Sequence, residues 1–180
     1  MSQLNDIALI DRTIVFGDTR AFGRLVEKYQ SAIRRFFVHQ TGGDTALSDD
    51  LAQETFIRDY QNIAKFKNLS GFSTWIHRIA YNVLNDHFRS AHPTQAIEPD
   101  IAERNTTTSK FSDSQHDIHL AMKHLNQNEC VCITLFYMED MSIEQISQIT
   151  EMPIGTIKSH LSRGRHKLAT WLNKNGYGKE

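Results

Sequence analysis

The chain has 180 residues, 39% of them hydrophobic, which allows one domain or two small ones and excludes a wholly disordered protein. Its formal net charge of −1 excludes a polycation that coats nucleic acid, and no apolar run reaches the length of a membrane span. Asp6 and Asp11 interrupt any signal-peptide pattern, and the cysteines Cys130 and Cys132 cannot supply a disulfide framework. We therefore expect a cytoplasmic protein without membrane insertion, and the sequence indicates neither a metal nor another cofactor.

Apolar residues recur at helical spacing through residues 1–90, and no segment alternates with the period of a strand. The longest apolar stripe covers residues 22–37, and Gly42 and Gly43 are expected to end its helix. These patterns predict a compact bundle of three or four helices. The residues expected to cap the helices after the first are Asp18, Ser48 or Asp49, and Ser73.

The helical period fails over residues 91–113, where Pro93 and Pro99 block a helix and acidic residues outnumber basic ones. This composition predicts a flexible acidic linker. A second helical unit is predicted over residues 114–180, so the fold class is all-α, with two small helical domains joined by the linker. The helices expected in the C-terminal unit cover about 114–125, 128–138, 142–149 and 154–172.

Residues 141–172 have the pattern of a helix-turn-helix that presents its second helix to DNA. Ser142 is expected to begin a short helix, residues 150–152 a turn, and Pro153 a second helix. Acidic residues precede the turn and basic residues follow it. This separation of charge favours DNA contact by the second helix.

The second helix of this motif separates an apolar face from a small, polar and basic one. Gly164 on the apolar face would permit close packing. On the opposite face, Arg163 can read a guanine in the major groove, and the N–H groups of Gly155 and Thr156 can bind a phosphate. An ordinary amphipathic helix with a solvated basic face is the alternative interpretation. The DNA-contact candidates are Gly155, Thr156, Lys158, Ser159, Ser162, Arg163 and His166.

Three motifs, in this order, carry a family resemblance that covers most of the chain outside the linker. Residues 50–56 resemble the Asp-x-x-Gln-(Glu/Asp)-x-Phe signature of bacterial sigma factors. Residues 72–82 are similar to their promoter-melting helix, and residues 155–165 to their recognition helix. The layout of two units and a linker resembles the small extracytoplasmic-function (ECF) type.

The resemblance implies a subunit that binds core RNA polymerase, through its clamp coiled coil and its flap, and directs it to promoter DNA. Residues 1–90 would bind the polymerase and recognise and melt the minus-ten element, and residues 114–180 would recognise the minus-thirty-five element. An anti-sigma factor is expected because relatives are commonly held by one. The implied core-binding residues are Asp49, Asp50, Gln53 and Glu54. The implied minus-ten residues are Lys65, Lys67, Asn68, Ser70, Thr74, Arg78, Tyr81 and Asn82.

Two residues depart from the family pattern. Tyr81 stands where many relatives carry Arg, and Pro153 stands where a Ser cap is common. The base preferences at the minus-ten and minus-thirty-five elements could therefore both differ from those of most relatives. Trp75 and Phe56 are expected to pack in the core rather than to contact a partner.

Other functions have weaker support. A stand-alone helix-turn-helix regulator would share the C-terminal unit but would have no use for the motifs at residues 50–56 and 72–82. A helical metal-dependent phosphohydrolase would need more ligands than the dipeptide His116-Asp117. Metal binding by Cys130 and Cys132 is disfavoured because residues two apart on a helix point about 200° apart.

Overall fold

The computed structural model describes residues 2–91 and 113–177, and in these ranges the protein is helical without strands. The predicted flexible linker was residues 91–113. Ala91 ends one helix and Asp113 begins another, and the rest of the linker, with its acidic residues Glu98, Asp100 and Glu103, lies outside the described residues. The N-terminal helices are α1 (Ser2–Phe16), α2 (Thr19–Gln40), α3 (Thr45–Asn62) and α4 (Phe72–Ala91). The C-terminal helices are α5 (Asp113–Met122), α6 (Gln127–Ile133), α7 (Ile143–Thr150) and α8 (Ile154–Lys174).

Side-chain caps determine where two of the N-terminal helices begin. Asp18 caps α2 as predicted, because its carboxylate accepts hydrogen bonds from the N–H groups of Arg20 and Ala21, at 3.0 and 3.1 Å. The predicted cap of α3 at Ser48 or Asp49 is wrong, since Asp44 caps that helix through the N–H of Leu47 at 3.0 Å.

The expected cap of α4 is also wrong, because the helix begins at Phe72 and Ser73 lies inside its first turn. In the C-terminal unit, capping boxes begin α6, through Asn126 and Glu129, and α7, through Ser142 and Gln145. The predicted helix 128–138 continues as expected, but its last part, Thr134–Met138, widens into a π turn.

The two units share one continuous hydrophobic core. Polar contacts cross between them at α2, where Gln40 Nε2 donates to Thr134 Oγ1 at 3.2 Å and both residues are fully buried. Arg35 binds Glu139 with two hydrogen bonds of 2.8 and 3.0 Å. The periodicity of the sequence predicted the two units but not this packing between them.

Candidate nucleic-acid interface

The acidic face of α3 is exposed on the outside of the N-terminal bundle. Asp50 and Gln53 are exposed, and Asp50 forms no ion pair within the described residues. Glu54 accepts a hydrogen bond from Arg58 Nε at 2.8 Å, and Asp49 accepts one from Arg34 at 2.5 Å. All four predicted core-binding residues therefore lie on one helix, but two of them already have a basic partner.

The loop between α3 and α4 places several predicted minus-ten residues at the surface. Lys65, Lys67 and Asn68 are exposed, whereas Ser70 is half-buried. Asn68 has a positive φ of 51°, a conformation that its short polar side chain tolerates. Leu69, next to it, is 88% exposed. Sequence reasoning did not select Leu69, and only its position between two polar residues of a loop could have indicated it.

The predicted minus-ten face of α4 is partly covered by α7. Thr74 was expected to be exposed, but it is only 2% exposed, because Gln145 of α7 lies over it and donates to its hydroxyl at 3.4 Å. Arg78 is exposed and forms an ion pair with Glu151, which follows α7. Asn82 is exposed and Tyr81 half-buried.

A buried carboxylate fixes α4 against α3. Asp59 of α3 is fully buried, and Trp75 of α4 donates its indole N–H to it at 2.8 Å. Burial raises the pKa of Asp59 to about 6, although the hydrogen bond from Trp75 acts in the opposite direction. The ring of Trp75 also packs edge-on to Phe66 at 5.7 Å. Trp75 therefore packs against the core, as the sequence predicted.

Helix α8 divides into the two faces expected from its sequence. Its apolar side is buried at Ile157 and Leu161, and Gly164 brings it close to α6, since a Cβ there would lie 2.9 Å from Ile133 Cγ1. The predicted DNA-contact residues are all exposed: Gly155, Thr156, Lys158, Ser159, Ser162, Arg163 and His166. No side chain caps the first turn of α8, so its N–H groups remain available to an anion.

A buried carboxylate on α6 anchors the basic side of α8. Glu129, with a side chain 2% exposed, accepts a hydrogen bond from Lys167 Nζ at 2.8 Å and lies 3.7 Å from Arg163 Nε. Arg163 also approaches Nδ1 of His160, which is buried, at 3.2 Å. Desolvation, with a smaller effect of Arg163, lowers the pKa of His160. The sequence analysis did not select Glu129 or His160 as residues that position Arg163. The spacing of Asn126 and Glu129, which is that of a capping box, could have indicated Glu129.

Among the described residues, no three His, Cys, Asp or Glu side chains are placed to hold a metal ion together. Cys130 and Cys132 are both buried, and desolvation raises the pKa of Cys132 to about 12. The side chain of His116 lies outside the described residues, and Asp117 accepts a hydrogen bond from Tyr177. Over 2–91 and 113–177, none of the helices combines the length and apolarity that crossing a membrane requires.

Comparison with known proteins identifies the family on both sides of the linker. Residues 25–94 match the family model of sigma-70 region 2, and residues 115–168 match that of sigma-70 region 4. The chain is 30% identical to the ECF RNA polymerase sigma factor SigW of Bacillus subtilis over 172 residues, which cover 87% of this chain and 91% of SigW. It is 29% identical to the RNA polymerase sigma-H factor of Pseudomonas aeruginosa over 186 residues, which cover 93% and 94% of the two chains.

Solved structures have the same fold. The sigma factor RpoE from Bartonella quintana, in complex with the anti-sigma factor NepR, superposes with a TM-score of 0.69 at 21% identity, covering 84% of this chain and 96% of RpoE. CnrH, in complex with the cytosolic domain of CnrY, superposes with a TM-score of 0.70 at 19% identity, covering 97% and 98%. With both sigma-70 regions matched and 91% of SigW covered at 30% identity, the chain belongs to the ECF family of RNA polymerase sigma factors.

Proposed function

We propose that residues 1–90 and residues 114–180 of this sigma factor have separate binding functions, and that residues 91–113 connect them. The N-terminal unit binds core RNA polymerase and opens the minus-ten element, and the C-terminal unit reads the minus-thirty-five element. Its contribution is binding rather than a reaction of its own, and it acts in the cytoplasm, where the polymerase is. The observation that carries the proposal is the opposite charge of two exposed helix faces, on α3 and on α8.

The acidic face of α3 suits a basic helical partner and repels DNA. Exposed Asp50 and Gln53 offer a carboxylate and an amide to an Arg-rich surface such as a clamp coiled coil. Asp49 and Glu54 would exchange Arg34 and Arg58 for arginines of the partner. Exposed ion pairs contribute little to stability, so this exchange costs the sigma factor little.

The loop and α4 suit an unstacked DNA strand. Lys65 and Lys67 supply charge for its backbone, Asn68 and Ser70 supply hydrogen bonds, and Leu69 offers an apolar surface to an unstacked base. The exposed polar face of α8 suits the major groove of duplex DNA, with its uncapped first turn on a phosphate.

Transcription by reconstituted polymerase tests this function. The purified chain, added to core polymerase, should start transcripts at a subset of genomic promoters. Asp50→Ala with Gln53→Ala should weaken binding to the core, whereas Gln30→Ala, which truncates an exposed glutamine on α2, should not. A chain that binds promoter DNA alone but never binds the core would be a stand-alone regulator instead.

Arginine substitutions in α8 test the reading of the upstream element. Arg163→Ala should cost about 1–3 kcal/mol at one base pair of that element and leave core binding intact. Arg165→Ala removes the same charge from another exposed position of α8, so it separates base reading from general attraction to DNA. Equal loss of core and DNA binding by Arg163→Ala would mean that Arg163 has a structural role.

We further propose that an anti-sigma factor regulates the chain. One of the structures with this fold, the sigma factor RpoE from Bartonella quintana, was solved in complex with the anti-sigma factor NepR. Purification from cells under mild conditions should recover polymerase subunits together with a stoichiometric small partner.

A further inference from the structure

A cavity of about 440 Å³ lies between α2 of the N-terminal unit and α5 of the C-terminal unit. Its volume falls within the range of about 300–1,000 Å³ that is typical of small-molecule sites. The residues that line it lie outside the sets proposed to bind polymerase or DNA, so the proposed function does not use it.

The lining of this cavity is apolar in one part and basic in another. Val38, Ile118 and Met138 supply the apolar part, and Ile118 is 45% exposed although it is a large aliphatic side chain. Arg34 and Arg35 of α2 supply the basic part. A ligand that suits both parts has an apolar body and an anionic head group.

Both arginines keep a donor for such a head group. Arg34 binds Asp49 and Arg35 binds Glu139, in each case through Nε and Nη2. Within the described residues, Nη1 of neither guanidinium makes a hydrogen bond. Because a guanidinium offers five N–H donors in a planar fork, it can hold a carboxylate on one side and an anionic ligand on another.

Two buried histidines face each other at the inner end of the cavity. The rings of His39 and His119 lie 5.0 Å apart, and each residue is 8% exposed. Burial, then the positive charges that His119 and Arg35 can carry, lower the pKa of His39 to about 4. Nδ1 of His39 is buried without a hydrogen-bond partner in the structure. An anion in the cavity would offset the repulsion, and a flip of the His39 ring would give that nitrogen an acceptor.

We propose that this cavity binds a small organic anion with an apolar body, and that the bound ligand holds the two units together. The ligand would contact α2 on one side and Ile118, His119 and Met138 of the C-terminal unit on the other. A ligand that binds only when both sides are in place stabilises the contact between them by mass action.

Binding of the fluorescent anion anilinonaphthalene sulfonate to the purified full chain tests the site. This probe has an aromatic body and a sulfonate head group, and its fluorescence rises in apolar surroundings. Ser31→Trp should abolish most of the signal, because a large ring at this exposed lining position would fill the cavity. The matched control is Gln30→Trp, which places the same side chain on the next residue of α2, exposed and outside the lining, and should keep the signal. Equal fluorescence of the bound probe in the two variants would overturn the proposal.

Competition between two compounds with the same apolar chain tests the preference for an anion. Octanoate should displace the probe at a concentration about tenfold lower than octanol, because only its carboxylate can accept charge-assisted hydrogen bonds from Arg34 and Arg35. Displacement by both compounds at the same concentration would mean that the cavity is only apolar, and an anionic ligand would be refuted.

Amide hydrogen exchange tests whether the ligand holds the units together. Octanoate should slow exchange in α5, whose contact with α2 it reinforces, and should change exchange in α3 little. Ser31→Trp should lose this protection and Gln30→Trp should keep it. Protection of α2 without α5 would refute the bridging of the two units. Such a result would leave the proposed function intact, because neither polymerase nor DNA is present in these assays.

Discussion

Replacing Asp59 by Asn should reveal a stability cost that depends on pH. The carboxylate is fully buried, one oxygen accepts the indole N–H of Trp75 at 2.8 Å, and the other has no hydrogen-bond partner in the structure. Burial raises the pKa of Asp59 from 3.8 to about 6. Asn keeps the shape and the acceptor for Trp75 but cannot ionise.

The direction of the pH dependence of stability follows from whether the folded or the unfolded state binds the proton on Asp59 more tightly. Because the folded carboxyl has the higher pKa, its contribution to stability is complete below about pH 4, falls as the pH rises towards about 6, and stays low above that. A shift of about two pKa units corresponds to about 3 kcal/mol. Asp59→Asn should therefore gain about 2–3 kcal/mol relative to the wild type between about pH 4 and about pH 7.5.

Urea unfolding of both proteins at the two pH values measures this change. Any cost of the amide itself, such as a buried N–H without a partner, is present at both pH values and cancels in the comparison. Asp50→Asn, on the exposed face of the same helix, controls for the loss of one negative charge. A stability difference that is the same at both pH values would refute a raised pKa for Asp59.

Three further experiments test the packing of the C-terminal unit. Gly164→Val should destabilise the chain by about 2–3 kcal/mol in urea, because its side chain would collide with Ile133, and a normal unfolding midpoint would contradict the close packing of α8 on α6. Glu129→Ala should cost about 2–3 kcal/mol, because it removes the acceptor for the Asn126 N–H in the capping box and the charged hydrogen bond from Lys167. Glu129→Gln can still accept from the Asn126 N–H and should recover part of the loss, and equal losses would show that this half of the capping box is unimportant. Cys130 and Cys132 should react with a thiol reagent only as the chain unfolds, and rapid reaction of the native protein would show that they are accessible.

The sequence predicted most helices and both faces of α8 because these depend on local periodicity. It misplaced the start of α3 because Asp44, Ser48 and Asp49 are all good caps, and only the folded backbone shows which one reaches an N–H group. The burial of Thr74 could not be predicted at all. The helical pattern of α4 places that residue on its polar side, and it is buried by a helix about 70 residues away in sequence.

The core shared by the two units links their unfolding. While Gln40 and Thr134 remain bonded inside one core, neither unit can lose its packing without exposing buried surface of the other. The chain should therefore melt in a single cooperative transition rather than in one transition for each unit.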